Sequence, residues 1–362
     1  MAMISYAIPD LPPVEDLETR AILKALVAAK SALAELKGTA GLIPNPGILI
    51  DTLALQEAQA SSEIENIVTT QDELFRVGTR PVSTLDPNQK EVARYRDALR
   101  LGHEALAETG LLTNNTVIAM YRLLKRTEGG FRTTPGTTLR NDHTREVVYL
   151  PPQHPDAILR HMGALERFVN APIGADDLDP LVRMALIHHQ FESIHPFSDG
   201  NGRIGRIVNI LYLVRTGLLE APILYLSRYI TKTKQTYYTL LQSTRDTGQW
   251  APWVLYILKG VEVIARETIL LIERIREMMG AMKRRLRGAY GFYSQDLLNN
   301  LFRHPYTRIG YVMDELGVSR VTAGKYLNRL VLDGVLVRVH SGRNVYFVNE
   351  PLVALFHEGF DG

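Results

Sequence analysis

Apolar residues recur with a helical period along most of this chain. From Arg203 to Thr216 they fall at Ile204, Ile207, Val208, Leu211 and Val214, the spacing of one helix face. Leu181 to Ile194 has the length and polarity of a helix rather than of a short apolar strand. Residues 17 to 77 read mostly helical, with Asp51 as the expected N-cap of a helix starting near Thr52. A long amphipathic helix ends on a basic run, Lys283-Arg284-Arg285-x-Arg287.

Strand-like patterning is confined to two places. Between Thr137 and Leu150, Thr138-Leu139 and Val147-Val148-Tyr149-Leu150 flank a turn at Asn141-Asp142-His143, and Pro151-Pro152 stops the hairpin. Near the C-terminus, Gln295–Arg303 and Arg308–Leu316 read as helices and Gly317-Val318 as a turn. Ser319 is the N-cap of a third helix reaching Asp333, which Gly334 closes. Val335–His340 and Val345–Val348 then form a hairpin around Ser341-Gly342-Arg343-Asn344. This order predicts a winged helix-turn-helix. The expected fold is mainly α, with a small β-hairpin flap and a C-terminal winged helix-turn-helix domain. Three segments follow: 1–105, 106–280 and 281–362.

Composition narrows the class. The 362 residues are 46% hydrophobic and 22% charged, ordinary for a globular protein. No cysteine is present, which excludes disulfides, thiolate metal sites and a cysteine nucleophile. A net charge of +2 does not mark a polyanion-coating protein. The most apolar windows, 207–226 and 253–272, contain Arg215, Glu220, Lys259, Glu262 and Arg266, so they read as buried helices and no membrane partner is expected. The start of the chain has no apolar core of signal-peptide type, and the expected location is the cytoplasm, in a bacterium.

Candidate chemistry concentrates in His195-Pro196-Phe197-Ser198-Asp199-Gly200-Asn201-Gly202-Arg203-Ile204-Gly205-Arg206. Asp199-Gly200-Asn201-Gly202 is a turn sequence leading into a helix, so its free N–H groups form an anion site. Arg203 and Arg206, at i and i+3, point from that first turn toward one ligand. Guanidinium forks suit phosphate oxygens. Asp199 suits a divalent cation such as Mg2+, which shares oxygen ligands with substrate phosphates. His195 has the pKa to take a proton from a hydroxyl near neutrality. Nucleotidyl or phosphoryl transfer onto an alcohol is the chemistry this set supports. The embedded Gly200-x-Gly202-x-x-Gly205 imitates a dinucleotide fingerprint, but it follows a helix instead of a strand. No Gly-Lys-Ser/Thr follows the loop, which excludes a Walker A site.

At these residues the chain resembles the Fic (Fic/Doc) family, whose motif is H-P-F-x-D/E-G-N-G-R-x-x-R. All nine specified positions match, and the resemblance covers roughly residues 10–260, with the tail looser. It implies a Fic-type helical core and a protein adenylyltransferase, which moves AMP from ATP to a Ser, Thr or Tyr hydroxyl of a target protein. In that reading His195 is the general base and Asp199 the Mg2+ ligand. The Gly200-Asn201-Gly202 backbone cradles the phosphates, and Arg203 and Arg206 hold the β/γ end. Arg203 favours AMP transfer, because phosphorylating relatives carry lysine there.

Upstream, Ser61, Glu65 and Asn66 match the family's inhibitory pattern S/T-x-x-x-E-G/N. The implied mechanism is competition, with Glu65 pairing with Arg206. The resemblance also implies that the 137–150 flap docks a target segment by strand addition, and that Tyr229 and Tyr237 wall the adenine. His188, His189 and Glu192 read as structural. In the tail, 11 Lys/Arg stand against 7 Asp/Glu over residues 281–362, a local excess of four. A DNA reading there puts Arg320, Thr322, Lys325 and Arg329 in the major groove and Arg343 on the wing. Protein contacts or dimer packing are the alternative use of that module, and a homodimer would clamp the inhibitory helix. Transfer of UMP or phosphocholine, net removal of AMP, and a DNA-binding regulator that senses nucleotide stay open as rival functions.

Overall fold

The computed structural model describes residues 6–67, 86–140, 146–341 and 344–358. The helical expectation for residues 68–77, the flap turn at Asn141-Asp142-His143 and the wing residue Arg343 lie outside them. In chain order the elements are α1 (Arg20–Ala40), α2 (Pro46–Ile64), α3 (Pro87–Thr109), α4 (Asn114–Lys125), β1 (Leu139–Arg140), β2 (Val147–Tyr149), α5 (Pro155–Asn170), α6 (Pro180–Ile194) and α7 (Asn201–Arg215). There follow α8 (Ser227–Lys232), α9 (Lys234–Thr247), α10 (Ala251–Ala289), α11 (Gln295–Arg303), β3 (Tyr306–Thr307), α12 (Ile309–Leu316), α13 (Arg320–Leu332), β4 (Val337–Ser341), β5 (Asn344–Val348) and α14 (Glu350–Glu358).

Two of these helices are buried on every side, which places them at the centre. α6 is buried from Leu181 to Ile194 and α7 from Arg203 to Leu213, and the two pack against each other. Around them α3 and α4 pair beside α7, α5 and α10 lie on α6, and α1 runs along α10. α2 is held between α3 and α8, with its C-terminal end directed at α7. The motif therefore sits on the loop joining the two most buried helices.

α2 starts earlier than expected. Asn45 is its N-cap, accepting from the Gly47 N–H at 2.9 Å, and Pro46 occupies the first turn, the position where a missing N–H matters least. Asp51 lies inside the helix, and its carboxylate instead meets Arg303 Nε of α11 at 2.5 Å. With Gln56 Nε2 donating to the Phe356 carbonyl at 3.5 Å, the C-terminal segment touches the helix that carries Glu65.

The C-terminal elements fall close to their expected bounds. Ser319 caps α13 by accepting from the Thr322 N–H, and Gly317 (φ 64°) closes α12. β4 and β5 pair antiparallel, and the short β3 adds to β5 with Tyr306 opposite Val348, giving the order β3-β5-β4. Two residues are too few for alternation to reveal β3 in advance. The positions 105/106 and 280/281 both fall inside continuous helices, α3 and α10. No described helix is long and apolar enough to cross a membrane.

Candidate active site

α6 ends where the chemistry begins. His195 takes a left-handed conformation (φ 47°, ψ 59°) as its C-cap, and its N–H closes on the Phe191 carbonyl at 2.9 Å. Gly200, at φ 79°, makes the second left-handed turn and starts α7, a position that suits a residue without Cβ. Between them the Asn201 side chain clamps the loop, accepting from the Phe197 N–H and donating to its carbonyl, both at 2.8 Å. The Asn201 amide thus shapes the loop, and only its backbone faces the anion site.

The outer side of the loop is held by residues the sequence did not single out. Arg132 donates from Nε to the His195 carbonyl at 2.9 Å and from Nη2 to the Pro152 carbonyl, and its backbone N–H reaches the Pro196 carbonyl at 2.8 Å. Tyr121 stacks on Phe197 with ring centres 4.0 Å apart. The flap strands β1 and β2 pair antiparallel, with Leu139 opposite Tyr149, and the Tyr149 hydroxyl donates to the Ser193 carbonyl at 2.8 Å. Arg245 of α9 donates to Ser193 Oγ at 3.0 Å and lies 4.1 Å over the Tyr149 ring.

This setting decides the protonation state of His195. Burial first, then the positive charges of Arg245 and Arg132, push its pKa down to about 3. The imidazole is neutral at physiological pH and its Nδ1 has no hydrogen-bond partner among the described residues. A half-buried neutral imidazole beside an open helix end is equipped to accept a proton.

α7 begins without a side-chain cap, which leaves its first N–H groups for an anion. The carboxylate of Glu65 stands there. A Cβ on Gly202 would clash with Glu65 Oε1 and come within 2.8 Å of an Arg206 guanidinium nitrogen, so glycine at 202 is what lets both groups approach. Arg206, 2% exposed, donates to Glu65 Oε1 at 3.0 Å, to Ser61 Oγ at 2.8 Å and to the Ser61 carbonyl at 2.8 Å. Burial alone would lower its pKa, but Glu65, Tyr237, Tyr95 and Glu192 together hold it raised. Asn66 follows at φ 61°, a conformation that asparagine and glycine tolerate best, and its side-chain oxygen accepts from Lys234 Nζ at 3.1 Å.

Two buried carboxyls sit behind Arg206. Glu57 accepts from the Tyr95 hydroxyl at 2.9 Å and from the Ser227 hydroxyl, tying α2 to α3 and α8. Burial pushes the Glu57 and Glu192 carboxyls up to about 7. His188 and His189 are also buried, bonded to the Tyr237 hydroxyl at 3.0 Å and the Leu241 carbonyl at 3.2 Å.

Arg203 is turned away from solvent, 1% exposed. It is ion-paired with Glu91 of α3 and lies 3.3 Å from Asp199 Oδ1. Asp199 itself is 60% exposed and meets Lys125 Nζ of α4 at 2.5 Å. Among the described residues no group of three or more His, Cys, Asp or Glu side chains stands at metal-binding geometry. A solvent-exposed carboxylate next to an anion site fits Mg2+, which takes one or two carboxylates and draws its other ligands from water and phosphates.

The two tyrosines part ways. Tyr237 is 2% exposed, ringed by Trp253, Tyr238 and Tyr256 with its hydroxyl on His188, so the expected adenine wall is core packing there. Tyr229 is half-buried against Tyr256, 5.1 Å between ring centres, and covers Gly260.

Residues 23–104 match the family model described as Fic/DOC family N-terminal, and residues 111–213 match that of the Fic/DOC family itself. The chain belongs to the Fic/DOC family. Residues 277–352 match the C-terminal domain described for the protein adenylyltransferase SoFic-like group. Protein adenylyltransferase fic-1 of Caenorhabditis briggsae is 29% identical over 132 residues, 36% of this chain and 22% of that protein. A protein of Aquifex aeolicus named a probable protein adenylyltransferase is 27% identical over 187 residues, 51% of this chain and 56% of its own. This Fic chain thus spans less than two thirds of the length of those relatives. In fold it is similar to a Fic family protein from Desulfovibrio desulfuricans, with a TM-score of 0.58 at 21% identity, covering 93% of this chain and 98% of that one.

Proposed function

We propose that this chain is a protein adenylyltransferase restrained by its own Glu65. The observation that carries the reading is the Glu65 carboxylate standing on Arg206 at the open N-terminus of α7, where a nucleotide phosphate would bind. His195, neutral in its setting, takes the proton from a Ser, Thr or Tyr hydroxyl of the target. The hydroxyl oxygen attacks the α-phosphorus of ATP, the bond from that phosphorus to the bridging oxygen breaks, and pyrophosphate leaves. Asp199 would hold Mg2+, which supplies charge neutralisation along the phosphates when bound. The α7 N–H groups and Arg206 orient the triphosphate, and orientation is a large part of such catalysis. The flap, with Val148 exposed, supports docking of an extended target segment by strand addition. Such a protein works where ATP is present, in the cytoplasm.

Label transfer from α-labelled and γ-labelled ATP tests this, with wild type, Glu65→Gly and Glu65→Gly/His195→Ala side by side. Transfer of α-label alone, raised by Glu65→Gly and abolished without His195, is the expected pattern. Transfer of γ-label without α-label would replace AMP transfer by phosphorylation. The helix-turn-helix reading of the tail retains two exposed cations on α13, Arg320 and Lys325, whereas Arg329 is paired with Asp333 at 2.9 Å.

A further inference from the structure

Asp199 is not free for a cation as the structure stands. Lys125 Nζ lies 2.5 Å from Asp199 Oδ2 and 3.5 Å from Glu91 Oε1. Its stem packs on the loop, with Cδ 3.5 Å from where a Cβ on Gly200 would stand. Glu91 is in turn the ion-pair partner of Arg203, and Arg203 returns to Asp199 at 3.3 Å. Glu91, Arg203, Asp199 and Lys125 therefore close a ring of alternating charge built from α3, α7, the motif loop and α4.

The members of the ring differ in freedom. Arg203 is enclosed, while Lys125 is one quarter exposed on a flexible stem and already stands between two carboxylates. A divalent cation and an ammonium repel each other on one carboxylate. We propose that Lys125 is a positioning residue that occupies Asp199 until the cation arrives and then moves fully onto Glu91. Glu91 is the second berth that makes the exchange possible, and it neutralises Arg203 in both states. The inference rests on Asp199 as the cation ligand of the proposed reaction.

The test reads binding rather than turnover. In the full chain carrying Glu65→Gly, affinity for the α,β-methylene analogue of ATP is measured by calorimetry with Mn2+ and with chelator. The ratio of the two affinities is the metal dependence. Lys125→Met should raise that ratio at least about threefold, since an exposed ion pair of this kind is worth a factor of up to roughly five. Lys125→Arg, which keeps the competing charge, should not raise it. Glu91→Gln should lower it, because the lysine then has no other carboxylate to move to. If that variant is unstable with Arg203 left only its longer contact to Asp199, the two lysine variants decide alone. A metal-dependent parent whose ratio is unchanged or lowered by Lys125→Met overturns the role of Lys125 and leaves Asp199 as the ligand. No metal dependence in parent or variant overturns both.

Discussion

Glu65 Oε1 lies 3.0 Å from the Arg206 guanidinium and directly over the backbone of Gly202. One carboxylate therefore blocks both parts of the anion site, the guanidinium and the helix N-terminus, from the end of a separate helix. Ser61, one helical turn earlier, takes two more Arg206 hydrogen bonds through its hydroxyl and carbonyl. Removal of Glu65 consequently leaves Arg206 in place, still anchored by Ser61, and opens only the side that a phosphate would use.

Glu65→Gly should raise AMP transfer roughly 10- to 100-fold, the range implied by about 1.5–3 kcal/mol for a hydrogen bond to a charged group. Thermal stability should change little, because Glu65 is one third exposed. Initial rates of α-label transfer with matched melting curves check this. A rate increase paired with loss of fold would point to general loosening instead of release of a competitor.

Gly202→Ala tests the same contact from the other side. Its Cβ would force Glu65 aside, so with Glu65 present it should destabilise by about 1–3 kcal/mol. In the Glu65→Gly background the penalty should be smaller, leaving the Arg206 contact alone. A double-mutant cycle in denaturant measures the coupling, and simple additivity would show that the two groups do not meet.

The pH profile follows from the depressed His195 pKa. Burial and two arginines disfavour the imidazolium, so the base form persists well below the ordinary value and protonation begins only toward about 3. Transfer by the Glu65→Gly variant should show no acid limb near pH 6.5. An initial-rate profile from pH 5.5 to pH 8, about the range where a model imidazole titrates, would reveal a solvated His195 by a limb at the ordinary value. For stability the sign is the same. Unfolded His195 binds a proton that the folded form refuses, so its contribution is full above about 6.5 and declines as pH falls below it.

How much of this was legible in the chain depended on sequence separation. The motif from His195 to Arg206 is one loop and one turn, so its residues could be placed together before any fold was known. The i, i+4 spacing of Ser61 and Glu65 put them on one helix face, but only the resemblance to the family's inhibitory pattern gave them a role. The C-terminal helices were legible through Ser319, Gly317 and Gly334. Arg132, Glu91, Lys125 and Arg245 were not, because each reaches the site from a different helix or loop and nothing local marks it. Tyr237 misled because an aromatic at helical spacing looks the same whether it faces a ligand or the core. Asp51 misled because an acidic residue before an apolar run resembles a cap, although Asn45-Pro46 gave the stronger start signal.

Arg132 offers the clearest test of a residue that acts through another. It fixes the His195 carbonyl and, through Pro152, the base of the flap, so it orients the base without facing the nucleotide. Arg132→Gln should lower the rate constant for transfer roughly tenfold or more, since small misplacement of reacting groups is costly. Affinity for the α,β-methylene analogue of ATP should stay within about twofold, because the α7 anion site is built on the other side of the loop. The acid limb of the pH profile should also move toward the ordinary histidine value, because one of the two charges that disfavour the imidazolium has gone. A purely structural arginine would lower rate and nucleotide affinity together and leave that limb where it was.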